Sequence, residues 1–240
     1  MRPLLVLIAV AITGCIDDLA PRWTLSHDHV IAVRATPPAV LPGESAELDA
    51  LLAHDDGPTT IEAPTEAAAL EAPASLEGLV YTDAGKWFVY GPSEEALAAA
   101  RIELGLSSDA PVPLDVYTAY PRAGSDPMFA KKRVWLGVSA QNPPSPAAAI
   151  NGAPMPTDPG DVRAREPLVV SDDSDTYLST TVDAGWRVNW LSSCGTLFQD
   201  DVATSFLRVL DNDPREGELA VVVRDPDGGV AWRVWPIVSE

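Results

Sequence analysis

Hydrophobic and polar positions alternate along most of the chain, in short segments that are typical of β-strands with one buried face. The first such segment covers residues 29–34, and Pro37 and Pro38 end it because proline has no amide hydrogen to donate to a neighbouring strand. The second covers residues 45–50 and follows a turn at Pro42-Gly43. The pattern therefore begins with a strand, a double proline, a turn and a second strand.

Further strands are predicted by the same alternation and by turn residues that separate them. They cover residues 78–82, 86–90, 113–120, 132–140, 147–150, 167–170, 176–182, 186–191, 204–209, 218–224 and 230–238. Asp227-Gly228 is typical of the turn of a β-hairpin and joins the last two strands. Residues 65–70 and 94–104 are rich in Ala and Leu and predict two short helices, the second with Ser93 as its N-cap.

A proline-rich stretch divides the chain into two units. Residues 142–146 form an extended connector of the kind that lies between domains. We expect one domain over residues 24–141, with the helical insertions, and a second over residues 147–240.

The strand, double proline, turn and strand at the start resemble the opening of many immunoglobulin-like sandwiches. The C-terminal part resembles bacterial immunoglobulin-like and polycystic-kidney-type repeats, through Val188-Asn189-Trp190, residues 193–198 and the final hairpin with Asp225, Asp227 and Gly228. In such domains the tryptophan lies on a central strand, and the hairpin leads into an edge strand. The expected fold is all-β: two immunoglobulin-like β-sandwich domains in tandem, the first with short helical insertions.

The first fifteen residues have the order of a secretory signal. Arg2 is followed by an unbroken apolar run from Leu4 to Ile12, which is too short to span a bilayer as a helix. The run ends in Ile12-Thr13-Gly14-Cys15, which resembles the lipobox of bacterial lipoproteins. The alternative is an ordinary signal peptide with a cysteine at its cleavage site by chance.

The lipobox resemblance implies that residues 1–14 are removed and that Cys15 is lipidated. Its thiol would carry a diacylglycerol and its new amino terminus a further acyl chain such as palmitate, so residues 15–23 would tether the protein to a membrane. In enteric lipoproteins an aspartate directly after the cysteine is similar to an inner-membrane retention signal. Ile16 stands there, which favours the outer membrane of the cell envelope.

The net charge of the chain and its cysteine count argue against a nucleic-acid partner and against a disulfide within the chain. The chain has 35 acidic and 16 basic residues, and a net charge of −19 disfavours nucleic acid as a partner. With Cys15 lipidated, Cys194 is the one remaining thiol, so no disulfide within the chain is expected. We expect Cys194 to be buried and inert.

Two groups of side chains are candidates for binding a metal ion. His27 and His29 have the spacing that places two imidazoles on one face of a strand, and His54 could supply a third ligand. Acidic turns offer oxygen ligands for calcium, although the same residues also form ordinary turns. The candidate calcium ligands are Asp211, Asp213, Asp225 and Asp227.

Seven tryptophans suggest a surface on which a sugar could stack, and Trp186 and Trp232 are the candidates for it. No sequence motif of a catalytic nucleophile, a phosphate-binding loop or a zinc protease is present. We therefore expect a non-catalytic structural or binding module, with an envelope protein or a glycan as partner and no required cofactor. A carbohydrate-binding adhesion module is the first alternative, and a metal-dependent enzyme that uses His27, His29 and His54 is the second.

Overall fold

The computed structural model describes residues 21–240 apart from residues 56, 159 and 173. The predicted signal peptide (residues 1–14), the predicted lipidation site at Cys15 and most of the predicted tether lie outside the described residues. No helix in the described part of the chain is both long and apolar enough to cross a membrane.

The first half of the described chain contains nine strands, one α-helix and a 3-10 helix at Ala74–Leu76. The strands are β1 (His29–Thr36), β2 (Ala39–Val40), β3 (Ser45–His54), β4 (Gly57–Glu62), β5 (Glu66–Leu70), β6 (Val80–Asp83), β7 (Lys86–Tyr90), β8 (Val112–Tyr120) and β9 (Met128–Leu136), and helix α1 is Glu94–Glu103. One sheet has the order β1-β3-β7-β6, with β4 paired to β3, and the other has the order β2-β9-β8-β5.

The second half contains nine more strands. They are β10 (Ala148–Ile150), β11 (Ala153–Pro154), β12 (Leu168–Val170), β13 (Thr176–Thr180), β14 (Arg187–Ser192), β15 (Thr196–Phe198), β16 (Thr204–Arg208), β17 (Glu216–Arg224) and β18 (Val230–Ser239). One sheet has the order β11-β10-β13-β16-β15, and the other has the order β12-β18-β17-β14.

The two halves repeat one strand plan. In each half the first strand pairs with one sheet, and a short strand after it crosses to the other sheet and pairs in parallel with the last strand, as β2 does with β9 and β12 does with β18. The remaining strands are antiparallel and complete the two sheets of an immunoglobulin-like sandwich. The predicted fold class is confirmed.

Each sandwich has its own apolar core between its sheets. In the first sandwich, Leu48, Val116 and Leu136 are fully buried there, and helix α1 adds Leu97. In the second, Trp190 and Trp235 are fully buried, and each indole nitrogen donates a hydrogen bond, to the Val202 carbonyl at 3.0 Å and to the Pro156 carbonyl at 2.8 Å. Bonded indoles satisfy the polar atom that a buried tryptophan carries with it.

A third apolar cluster joins the two sandwiches. Leu51 and Ala53 of β3 pack with Val222 of β17 and with Trp232 and Val234 of β18. Strands β17 and β18 are therefore buried on both faces, one against their own core and one against the first sandwich.

Polar contacts reinforce this interface. Asn142, in the proline-rich connector, donates to the Ala35 carbonyl and accepts from the Val230 amide, each at 2.8 Å, and so links both sandwiches. Glu218 of β17 accepts a hydrogen bond at 2.7 Å from the amide of Thr59 in β4 and forms an ion pair with Arg163. The connector therefore joins two sandwiches that are in direct contact.

The structure confirms one local prediction and differs from two others. The helix predicted for residues 94–104 is confirmed as α1 (Glu94–Glu103), and Ser93 caps it by accepting from the Ala96 amide at 3.2 Å. The helix predicted for residues 65–70 was wrong, because that segment is β5 and pairs with β8, so strand pairing outweighs the helix propensity of its alanines. In the second sandwich Trp190 lies on β14, the terminal strand of its sheet, and β18 has a neighbour on each side, which differs from what the repeat resemblance implies.

Candidate functional site

A groove of about 550 Å³ opens where the two sandwiches meet. It is lined by residues 30–33 in β1, residues 130–133 in β9, Gly185 and Arg187 at the start of β14, and the end of β17 with the turn that leads to β18. We call this site the junction groove. Because both sandwiches supply its walls, it depends on their contact.

The junction groove concentrates positive charge in a strongly negative protein. Five of the 16 lysine and arginine side chains line it, although the net charge of the chain is −19. They are Lys131, Lys132, Arg133, Arg187 and Arg224. No motif marks these residues in the sequence, because the first three belong to β9 and the others to β14 and β17.

Arg187 and Arg224 occupy directly opposite positions in the antiparallel pair of β14 and β17. Arg224 donates hydrogen bonds to the Asn189 side-chain oxygen at 2.7 Å and to the Ile31 carbonyl of the first sandwich at 2.9 Å. Burial and the charge of Arg187 lower the pKa of Arg224. Like charges at directly opposite positions destabilise a sheet, so this pair is held in place against its own repulsion.

Lys132 adds a third positive charge from the first sandwich. It is only 6% exposed, on a face of β9 that also carries the buried Val134, and its Nζ donates to the Gly228 carbonyl at 2.5 Å. Burial, with a further contribution from Arg224, lowers the pKa of Lys132 to about 8. The ammonium is therefore mostly charged at neutral pH, in a place that disfavours charge.

Few carboxylates offset these charges. Lys131 and Arg133 both pair with Asp115, at 3.1 and 2.7 Å. Lys132, Arg187 and Arg224 have no ion pair with any described carboxylate. Asp225 lines the groove, and one of its oxygens accepts from the Gly229 amide at 2.7 Å. The groove thus presents three cations that have no carboxylate partner among the described residues, although Lys132 and Arg224 donate hydrogen bonds to neutral oxygens.

A second candidate surface is a row of aromatic rings on the outer face of the second sandwich. Phe206 of β16 lies between Tyr177 of β13, at 6.2 Å between ring centroids, and Phe198 of β15, at 4.8 Å. Tyr177 is 60% exposed and Phe198 37% exposed. We call these three residues the aromatic row. The signal for it was the outward position of each ring beside a buried leucine, as at Tyr177 and Leu178.

The tryptophan candidates have a different place in the fold. Trp232 is fully buried between the sandwiches, so its indole is not accessible to a sugar, and the suggestion that it forms a binding surface was wrong. Trp186 is half-buried just before β14. Trp232 is buried because it packs against the apolar surface of β3. The two sheet faces exclude water there, so a sugar cannot reach the indole.

The candidate histidines, as the structure describes them, do not form a site with three ligands. His27 and His29 stack on each other at 4.3 Å between ring centroids, and burial lowers the pKa of His29. His54 forms a hydrogen bond to the Thr60 hydroxyl at 2.7 Å. Within the described residues, no group of three or more His, Cys, Asp or Glu side chains is placed to hold a metal ion. The described residues thus lend no support to a metal site at these histidines.

The acidic turns use their oxygens locally. Asp213 accepts from the Leu210 amide at 2.8 Å, and Asp225 accepts from the Gly229 amide. Asp211 is exposed and lies 3.7 Å from Arg215, and Asp227 is exposed in the turn between β17 and β18. These contacts are the turn chemistry that aspartate commonly provides.

Cys194 is fully buried in the core of the second sandwich. Burial raises the pKa of its thiol to about 11, which keeps it protonated and unreactive at neutral pH. The backbone around it is fixed by the Ser192 hydroxyl, which accepts from the Cys194 amide at 3.1 Å.

No protein-family model and no curated protein matches the sequence. Among solved structures, murine CEACAM1b is 12% identical, with a TM-score of 0.29, over 87% of this chain and 100% of its own. The fibronectin(III)-like modules of Clostridium thermocellum CbhA are 9% identical, with a TM-score of 0.25, over 87% of this chain and 94% of theirs.

A nucleoside hydrolase-related hypothetical protein from Saccharophagus degradans, associated with carbohydrate metabolism, is 16% identical with a TM-score of 0.30. The match covers 42% of this chain and 26% of that protein, so this chain spans about a quarter of its length. At such values the immunoglobulin-like assignment rests on the strand order within each sandwich.

Proposed function

We propose that this protein is a lipid-anchored component of a bacterial cell envelope and acts as a non-catalytic structural or binding module. The observation that carries the proposal is the apolar interface between the sandwiches, which makes them a single structural unit with the junction groove at its edge. The described residues that line the groove combine basic and apolar side chains with one carboxylate, Asp225, and this composition supports a binding role.

The anchor is proposed at Cys15, with the outer membrane favoured because Ile16 follows it. Acyl chains would hold the acidic domains beside the membrane without any need for a basic surface, since each buried methylene contributes about 0.8 kcal/mol.

Metabolic labelling with palmitate tests the anchor. The parent protein should take up label and partition into the detergent phase, whereas a Cys15→Ser variant should do neither. Cys194→Ser is the matched control, because it removes the other cysteine and should keep the label. Uptake of no label by the parent protein, together with membrane partitioning of Cys15→Ser, would overturn the anchor.

A carbohydrate-binding role is the second candidate, favoured by the aromatic row rather than by the tryptophans. Exposed rings stack on the apolar faces of sugars, and here three rings lie side by side on adjacent strands. Affinity electrophoresis in gels that contain soluble polysaccharides should show retardation that Phe206→Ala and Tyr177→Ala remove. Phe129→Ala is the matched control, because Phe129 is 56% exposed and stacks on Tyr117 in the first sandwich. Equal retardation of all variants would exclude the aromatic row.

A further inference from the structure

The junction groove holds a charge arrangement that folding alone does not explain. Nine of the 15 described lysines and arginines form ion pairs with described carboxylates. Three of the other six, Lys132, Arg187 and Arg224, line this one groove. The chain has about two carboxylates for each cation, so the missing carboxylate partners do not reflect a shortage of acidic residues. Cations that repel one another and have no described carboxylate partner mark this groove as a candidate anion-binding site.

The net charge of the groove identifies the ligand. Lys132, Arg187 and Arg224 contribute three positive charges, and Asp225 offsets one of them. Lys131 and Arg133 share one carboxylate, Asp115, and so add one further positive charge. The resulting charge of about +3 favours a phosphate dianion over a singly charged carboxylate, and guanidinium groups match phosphate oxygens in geometry as well as in charge.

The volume of the groove leaves room for a ligand larger than a simple anion. About 550 Å³ lies within the range of small-molecule sites, which runs from about 300 to 1,000 Å³. Val30, Ile31 and Val33 form an apolar wall beside the cations and provide a surface for an organic group.

From these observations we infer that the junction groove binds the phosphate group of a phosphorylated small molecule of about the size of a sugar. Arg187 and Arg224 of the second sandwich bind the phosphate, and Lys132 of the first sandwich contacts it. The ligand therefore bridges the two sandwiches. This inference goes beyond the proposed function and does not depend on the anchor, which is tested separately by labelling.

Calorimetry on the full-length protein in detergent tests the inference, with glucose 6-phosphate, inorganic phosphate and glucose as probes. Glucose 6-phosphate should bind more tightly than inorganic phosphate, and glucose should not bind. Arg187→Gln should weaken binding of glucose 6-phosphate by at least about tenfold, since a hydrogen-bonded ion pair is lost. Arg187 is exposed and not part of either core, so this variant should fold and should melt no earlier than the parent protein.

Arg165→Gln is the matched control, because Arg165 is also exposed, also lacks a described carboxylate partner, and lies outside the groove. It should leave the affinity unchanged. Equal loss in both arginine variants would mean that binding follows net charge alone, and would overturn the site. Equal affinity for inorganic phosphate and glucose 6-phosphate would overturn the organic part of the ligand, and absence of binding by either would overturn the inference as a whole.

Discussion

The guanidinium carbon of Arg34 lies 4.2 Å from the ring centroid of Trp232, although Arg34 belongs to β1 of the first sandwich and Trp232 to β18 of the second. Arg34 is held in that position by Asp49 of β3, to which its Nε donates at 3.0 Å. A cation over the face of an indole is stabilising, and more so where water is excluded. This contact therefore stabilises the interface between the two sandwiches.

Trp232→Ala should lower the free energy of unfolding by about 3–5 kcal/mol, because it leaves a large cavity between two sheets. The matched control is Trp186→Ala, which removes a half-buried indole and should cost less than about 1 kcal/mol. Chemical denaturation measures both. A small effect of Trp232→Ala would show that the sandwiches are stable without their contact.

Arg163→Met should destabilise the protein by about 3 kcal/mol, since it leaves the carboxylate of Glu218 in a buried position without its cation. The double variant Arg163→Met with Glu218→Met should recover part of the loss. Arg208→Met breaks an exposed ion pair with Asp175 and should destabilise the protein far less, because water screens the pair. Equal losses in the two single variants, measured by urea denaturation, would contradict the importance of burial.

Lys132→Met should stabilise the protein at neutral pH by about 2–3 kcal/mol, because it removes a buried charge. The pKa of Lys132 is lowered from 10.5 to about 8 by burial and by Arg224, against the opposing effects of Asp225 and Asp49. The unfolded chain then binds more protons than the folded one between these two values. The destabilisation that charged Lys132 causes is therefore relieved as the pH rises across that window, and the stability of the parent protein rises.

The advantage of Lys132→Met should accordingly shrink as the pH rises from about 8 to 10.5. Melting curves of the variant and the parent protein at matched pH values measure it. Lys131→Met is the control for the loss of one positive charge, because Lys131 is exposed on the same strand. An advantage that stays constant over the window would mean that Lys132 keeps an ordinary pKa.

Cys194 should resist thiol reagents near pH 8, because a pKa of about 11 leaves only about one thiol in a thousand ionised and the sulfur is buried. Ellman's reagent should react with this thiol only after denaturation in guanidinium chloride. Fast reaction of the native protein would place Cys194 at the surface.

Calcium should raise the melting temperature no more than magnesium does, because Asp213 and Asp225 already use side-chain oxygens to accept backbone hydrogen bonds. Differential scanning calorimetry with each ion at millimolar concentration tests this, with a chelator as reference. A selective rise with calcium would indicate a site that involves Asp211, Asp213, Asp225 or Asp227.

Alternation along the chain was sufficient to locate most of the strands, because each sandwich buries one face of most of them. It failed at residues 65–70, where the pairing of β5 with β8 outweighs the helix propensity of the alanines. The unbroken apolar run at residues 219–223 was a sign of burial on both faces, but a sequence does not say which surface covers the second face.

Sequence patterns could not predict the junction groove, for a related reason. Lys132 and Arg224 belong to different sandwiches and meet only after the interface forms. The inward position of Lys132 between Ala130 and Val134 was the one local irregularity, a lysine where the alternation calls for an apolar residue. Buried polar groups of that kind are where function can override local preference.

Strands β17 and β18 have a consequence for how the protein is made. They complete the core of the second sandwich and also cover Leu51 and Ala53 of the first. Because these strands lie C-terminal to the first sandwich, a growing polypeptide exposes the apolar outer face of that sandwich until β17 and β18 are added. Any chaperone that binds the growing chain would therefore have to protect that face, and would be displaced by β17 and β18.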